Sequence, residues 1–288
     1  MKLVTFNHSG NVNVGLVRGD QVINLSTVAQ NMTSLIEMYS GSFEQLRDQI
    51  EPIFGGIPLE NVELLAPIPG PRRNVMCLGL NYAEHAEEHY AASGRHTELP
   101  EYPIVFTKAP TSINGPYDDI PYDPTVTQEL DWEVELAVII GRKGKNIAVE
   151  EAMEYVFGYS VLNDVSARDL QRRHKQFFKG KSLDGTCPMG PWIVTADELT
   201  EPHNLRVTSR VNGIVKQDSN TAMMIFDVPS IIHHLSCGMT LLPGDIIATG
   251  TPSGVGFARQ PPEFLQIGDI VECEVEGIGI IRNKVTSA

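Results

Sequence analysis

Glu133 and Glu135 stand two residues apart in the stretch ELDWEVELAVIIG, and an apolar run from Leu136 to Ile140 follows them. Gly141 closes that run, so it reads as a buried strand. Strand side chains alternate between faces, so the two carboxylates project side by side. Strands are poor in Glu, and like charges this close repel unless a cation lies between them. Asp164 follows a second strand-like run, Tyr159 to Leu162. Two Glu and one Asp at strand ends make an all-oxygen site for a hard divalent cation, Mg²⁺ or Mn²⁺. The competing reading is an edge strand that keeps its Glu residues in water.

Other residues add chemistry around that cluster. His85 and Glu88 are three apart on a short helix and share a face. A carboxylate beside an imidazole orients it and raises its basicity, so the pair can take a proton from water. The competing readings are an exposed polar helix and the inverted zinc-protease pattern H-x-x-E-H, matched from His85 to His89. The zinc reading leaves Glu133, Glu135 and Asp164 without a role. Arg168 and Gln171 are also three apart, on a helix just past Asp164. Arg can fork onto a substrate carboxylate, and Gln can hold a water or a carbonyl. KGKS sets Lys179 and Lys181 in a Gly-containing loop, where a Lys near a metal can stabilise an enolate or oxyanion. TGTPSGVG, from Thr249 to Gly256, lacks the Lys-Ser/Thr ending of a phosphate loop. Its hydroxyls and amides could grip a carboxylate.

The elements that position these residues follow from periodicity and turn chemistry. KLVTF, NVGLV and QVINL predict short N-terminal strands. Helices are expected over Ser26 to Tyr39 and Ser42 to Ile50, and Pro52 stops the second. The Pro/Gly-rich joint PIPGPRR suggests a boundary at about residue 70, with a small N-terminal domain (1–70) and a larger one (71–288). In the larger part NVMCLGL reads as a buried strand. The helix AEHAEEHYAAS and the polar segment to Pro103 read as a mobile flap. A helix is expected from Val149 to Val156, between the two strands of the metal site. Strands outnumber helices without regular alternation, so the fold class is α+β and β-rich rather than doubly wound.

Composition excludes other classes. With 22 Lys and Arg against 36 Asp and Glu, the net charge is −14. Without a basic stretch, nucleic acid and anionic membrane are not expected partners. Cys77, Cys187, Cys237 and Cys273 form no CxxC pair, which suits a reducing compartment. MKLVTFNHSG carries no apolar signal-peptide core, and no apolar run is long enough to span a bilayer. A cytoplasmic enzyme is the expectation.

Five motifs in order, GLNYAEHAEE, ELDWEVELAVIIG, GYSVLNDVSARDLQ, KGKSLDGTCPMGPWIV and LLPGDIIATGTPSGVG, make the chain from Asn74 to Val285 resemble the fumarylacetoacetate hydrolase family. The first 70 residues resemble the smaller N-terminal α/β domain of many members. The resemblance implies a mixed β-roll or barrel catalytic domain, usually in homodimers. It implies Mg²⁺ or Mn²⁺ on Glu133, Glu135 and Asp164, a catalytic dyad at His85 and Glu88, and Arg168, Gln171, Lys181 and Thr251 around a 2-oxo acid substrate. On that basis the expected reaction is hydrolysis of a C–C bond in an acylpyruvate. His85 would activate water, and Lys181 would share the charge of the departing pyruvate enolate. Decarboxylation of oxaloacetate and isomerisation of a 2-hydroxy-dienedioate pass through a similar enolate and stand as alternatives. A metal-binding scaffold without turnover is the non-enzymatic one.

Overall fold

The run behind the two glutamates forms the strand Val134–Ile140, every residue of which is buried. Its even side chains, Leu136, Val138 and Ile140, join one core cluster, while Ala137 and Ile139 join another. A strand buried on both faces reads as an unbroken apolar run, which is why alternation was invisible in the sequence. Glu133 and Glu135 continue the odd-numbered face beyond the apolar run. The computed structural model describes residues 1–39, 41–92, 94, 96 and 99–288.

A 12-stranded sheet carries the site. Val134–Ile140 pairs antiparallel with Val156–Asn163 on one side and with Ile246–Ala248 on the other. Beyond Ile246–Ala248 come Val75–Gly79, parallel to it, and then Ile104–Lys108. Beyond Val156–Asn163 comes Cys187–Thr195, which pairs in turn with Lys2–His8 of the N-terminal region. The sheet is therefore continuous through the N-terminal strands. Its strand path is open-ended, so it is not a closed barrel.

A second sheet of five strands is ordered Ile214–Asn220, Arg206–Val211, Ile270–Val275, Gly279–Ser287, Ile120–Tyr122. Val207, Val271, Val275 and Ile281 from this sheet pack with Leu136 and Val138 of the first. On the other face Leu35, Ile36 and Leu46 from two N-terminal helices pack against Ala137 and Ile139. The strand that carries Glu135 is thus the middle layer. Full burial of each of its aliphatic side chains is worth roughly 1.5–3 kcal/mol. The fold is α+β and strand-rich, as expected.

Local differences have local causes. The first helix covers Met32–Met38, shorter than expected, because the Asn31 side chain caps it by accepting the Ser34 amide at 2.9 Å. Residues 26–30 precede that cap in a turn. The helix expected from Val149 to Val156 is a 3₁₀ helix over Val149–Tyr155. The helix expected in the flap is present as Ala83–Ala92. Part of the following segment, including Arg95, Thr97 and Glu98, lies outside the described residues. Among the described residues no helix is long and apolar enough to cross a membrane.

Candidate active site

Glu133, Glu135 and Asp164 come together as expected, with carboxylate oxygens within 4.8 Å of one another and all three residues buried. Backbone contacts fix them. The Asp164 amide donates to the Glu133 carbonyl at 2.8 Å, and the Glu133 amide donates to Asn163 Oδ1 at 3.0 Å. Glu135 Oε2 accepts the Gly250 amide at 2.7 Å.

Three buried cations balance part of this charge. Lys181 Nζ donates to Glu133 Oε2 at 2.6 Å and to Asp164 Oδ2 at 2.7 Å. Lys108 Nζ lies 2.8 Å from Asp164 Oδ1. Arg168 Nη2 lies 2.5 Å from Glu133 Oε1. Burial pushes the Glu133 carboxyl up, but Arg168 and then Lys181 reverse this and hold it below the usual carboxylate range. Burial pushes Glu135 well above that range, and Asp164 and Glu133 add to the effect. Burial opposes charge on Lys181, yet Asp164 and Glu133 keep its ammonium above the ordinary lysine value. Among the described residues Glu135 is therefore the carboxylate left without a cation of its own. An all-oxygen set that lacks a positive charge at one member fits a hard divalent ion such as Mg²⁺ or Mn²⁺.

His85 Nδ1 lies 2.8 Å from Glu88 Oε1, on the helix Ala83–Ala92. His85 is buried and lines the small cavity beside Glu133. Glu88 also accepts the Gly254 amide, at 2.9 Å through Oε2. Glu88 thus serves His85 and a backbone amide rather than a zinc ion. Among the described residues the Glu133, Glu135 and Asp164 group is the one that could hold a metal.

Arg168 and Gln171 share the helix Arg168–Arg173 and bond to each other, Nη1 to Oε1, at 3.2 Å. Lys181 and Lys179 separate: Lys181 is buried in the site and Lys179 is exposed, both on a helical turn, Phe178–Lys181, where a loop was expected. Gly180 permits this, since a Cβ there would sit 2.6 Å from the Gln171 amide nitrogen. Thr251 lines the cavity, but its hydroxyl donates to the Val134 carbonyl at 2.9 Å and accepts from Gln217 at 2.7 Å.

The Gly-rich turn does grip carboxylates, and they are the protein's own. Gly250 binds Glu135, Gly254 binds Glu88, and Gly256 binds Asp131 at 2.7 Å. Gly254 has φ of +101°, and a Cβ there would lie 2.1 Å from the Lys216 carbonyl, so the turn excludes any side chain at that position. Sequence reasoning assigned no role to Asp131 or Lys108. Asp131 was visible as a further acid in LDWEVE. Lys108 left no signal, because a Lys at a strand end is ordinarily solvated.

The inner cavity is small, about 40 Å³, room for a water or two. It shares His89, Arg168, Gln171 and Phe177 with an outer cleft of about 830 Å³.

The family model described as fumarylacetoacetate (FAA) hydrolase C-terminal matches residues 74–286. The chain belongs to the fumarylacetoacetate hydrolase family. Within the family, oxaloacetate tautomerase YisK of Bacillus subtilis (strain 168) is 50% identical over 227 residues, 79% of this chain and 74% of that protein. The solved fumarylacetoacetate hydrolase of Exiguobacterium antarcticum superimposes with a TM-score of 0.87 at 43% identity, over 100% of both chains. The maleylpyruvate hydrolase of Sphingobium sp. SYK-6, solved with manganese(II) and pyruvate, superimposes with a TM-score of 0.80 at 29% identity, again over 100% of both. The family match thus spans the whole site, from His85 to Gly256.

Proposed function

We propose that this protein is a metal-dependent enzyme that interconverts the enol and keto forms of oxaloacetate or a closely related 2-oxo diacid. The observation that carries the reading is the His85–Glu88 pair, an imidazole held by a carboxylate beside the three-carboxylate cluster. The similarity to an enzyme named oxaloacetate tautomerase supports the choice of substrate.

Glu133, Glu135 and Asp164 would hold Mg²⁺ or Mn²⁺, which when bound supplies Lewis-acid polarisation of a substrate carbonyl. Arg168 and Gln171, at the mouth of the inner cavity, bind the substrate carboxylate. His85 Nδ1 faces Glu88, so Nε2 is the nitrogen left for substrate. It takes a proton from C3 of the keto form and returns it to the C2 oxygen. Glu88 stabilises the imidazolium between those two transfers. Lys181 offsets the negative charge on the enolate oxygen. Thr251 shapes the wall, and its hydroxyl stays bonded within the fold.

The same pair can deprotonate water, which favours hydrolysis of an acylpyruvate as the second reading. The similarity to a maleylpyruvate hydrolase is in line with it. One set of assays separates these reactions. The protein with Mn²⁺ is mixed with oxaloacetate while enol absorbance is followed, and pyruvate release is measured from oxaloacetate and from acetylpyruvate. Accelerated loss of enol with little pyruvate supports tautomerisation. Pyruvate from acetylpyruvate with no effect on enol decay would transfer the assignment to hydrolysis, and pyruvate from oxaloacetate would transfer it to decarboxylation.

The protein is further proposed to act as a homodimer in a reducing compartment. All four cysteines are free. Light scattering should return twice the chain mass of 31.7 kDa, and a monomer mass at micromolar concentration would refute the dimer.

A further inference from the structure

Asp131 is fully buried, yet it has no place in the metal cluster. Its two oxygens divide their partners. Oδ1 accepts the Trp132 amide at 2.8 Å and the Gly256 amide at 2.7 Å. Oδ2 accepts the Phe257 amide at 3.1 Å and Arg168 Nε at 2.8 Å. Phe257 in turn lies under the guanidinium, with Arg168 Cζ 4.5 Å from its ring centroid. Three backbone amides can be satisfied by a neutral oxygen. Among the described residues Arg168 is the one partner that calls for a charged one.

The geometry points to Asp131 as the positioning residue of Arg168, clamping Nε so that the Nη1 and Nη2 tip stays at the cavity beside Glu133 and Gln171. The inference rests on the proposed reading of Arg168 as the group that holds the substrate carboxylate. Without Asp131, the guanidinium keeps Glu133 as its close anionic partner and is drawn onto a metal-site carboxylate. The turn of residues 250–257 would act as the second jaw, because the Gly256 and Phe257 amides hold the carboxylate that holds Arg168. The same turn carries the Gly254 amide that supports Glu88. Asp131 therefore sits between the substrate-binding arm and the proton-transfer arm of the site, and kinetics can tell which arm it serves.

The test uses the full chain loaded with Mn²⁺ and the variants Asp131→Asn, Phe257→Leu, Arg168→Ala and Asp131→Asn/Arg168→Ala. Loss of one charge-assisted bond to Arg168 is expected to raise KM for oxaloacetate roughly 10- to 100-fold with kcat held within about threefold. Phe257→Leu, which removes the ring under the guanidinium but not the carboxylate, should raise KM by about three- to fivefold. In the Arg168→Ala background, Asp131→Asn should add little, because its target is gone. Mn²⁺ affinity should stay at the wild-type value in Phe257→Leu, which changes no charge at Glu133.

A fall in kcat at constant KM would overturn the inference and leave Asp131 a brace for the turn and Glu88. So would additive losses in the double variant. Should Asp131→Asn fail to fold, Phe257→Leu with unchanged KM would still refute the clamp. Oxalate, which presents paired carboxylates to the site without turning over, separates this inference from the functional reading. Wild-type protein that does not bind oxalate with Mn²⁺ contradicts the proposed function itself. Wild-type binding matched by equal binding to Asp131→Asn contradicts only the role of Asp131.

Discussion

Glu88→Gln is the substitution that probes proton transfer with the least disturbance. Glu88 is 22% exposed, and its carboxylate has two partners, His85 Nδ1 at 2.8 Å and the Gly254 amide at 2.9 Å. Gln has the same shape and can keep an oxygen on one of them. What it loses is the negative charge facing the imidazole. A bond to a charged group contributes about 1.5–3 kcal/mol and a neutral one about 0.5–1.5 kcal/mol, so the difference is about 1–1.5 kcal/mol. At about 1.4 kcal/mol per tenfold in rate, kcat should fall roughly tenfold. Removing the base outright with His85→Ala should cost about 10²–10⁴. The assay is initial-rate loss of oxaloacetate enol at saturating Mn²⁺, with KM and Mn²⁺ affinity measured alongside. Both should stay near wild type, since Glu88 touches neither the cluster nor Arg168. Wild-type kcat in Glu88→Gln would show that His85 transfers no proton in the slow step and would remove the dyad from the mechanism.

Glu135→Ala should abolish Mn²⁺ uptake in calorimetry while circular dichroism stays native. Unchanged affinity would show that the three carboxylates do not hold the Mn²⁺. Metal binding should also depend on pH in a defined sense. The Glu135 carboxyl is pushed up, so the metal-free protein keeps that proton to a higher pH than an ordinary Glu, whereas Glu133 is pushed down and stays ionised. Binding must then expel one proton, and affinity should fall by about tenfold per pH unit below the Glu135 value. Calorimetry in buffers of different ionisation heat that returned no released proton would contradict this. Of the four thiols, only Cys237 is exposed. Native alkylation should modify one cysteine and alkylation in denaturant four, and rapid native modification of Cys77, Cys187 or Cys273 would contradict the packing.

The sequence by itself determined the three-carboxylate cluster and the pairings that are local. Glu133 with Glu135, His85 with Glu88 and Arg168 with Gln171 are two or three residues apart. The periods of a strand and a helix place such residues together whatever the rest of the chain does. Asp164 was within reach because it ends a strand next in order to the first. The tertiary structure alone decided which groups complete the site. Asp131 meets Arg168 across 37 positions, Lys108 meets the Val165 carbonyl across 57, and Gly250 meets Glu135 across 115. No periodicity encodes such contacts; sheet order does. The strand Ile246–Ala248 lies beside Val134–Ile140, which brings the Gly-rich turn over the carboxylates and turns its amides inward. The same order makes the N-terminal strands part of the catalytic sheet, although the Pro/Gly-rich joint near residue 70 reads as a break. Proline and glycine mark where the backbone turns, and only hydrogen-bond pairing shows what the turned chain comes back to meet.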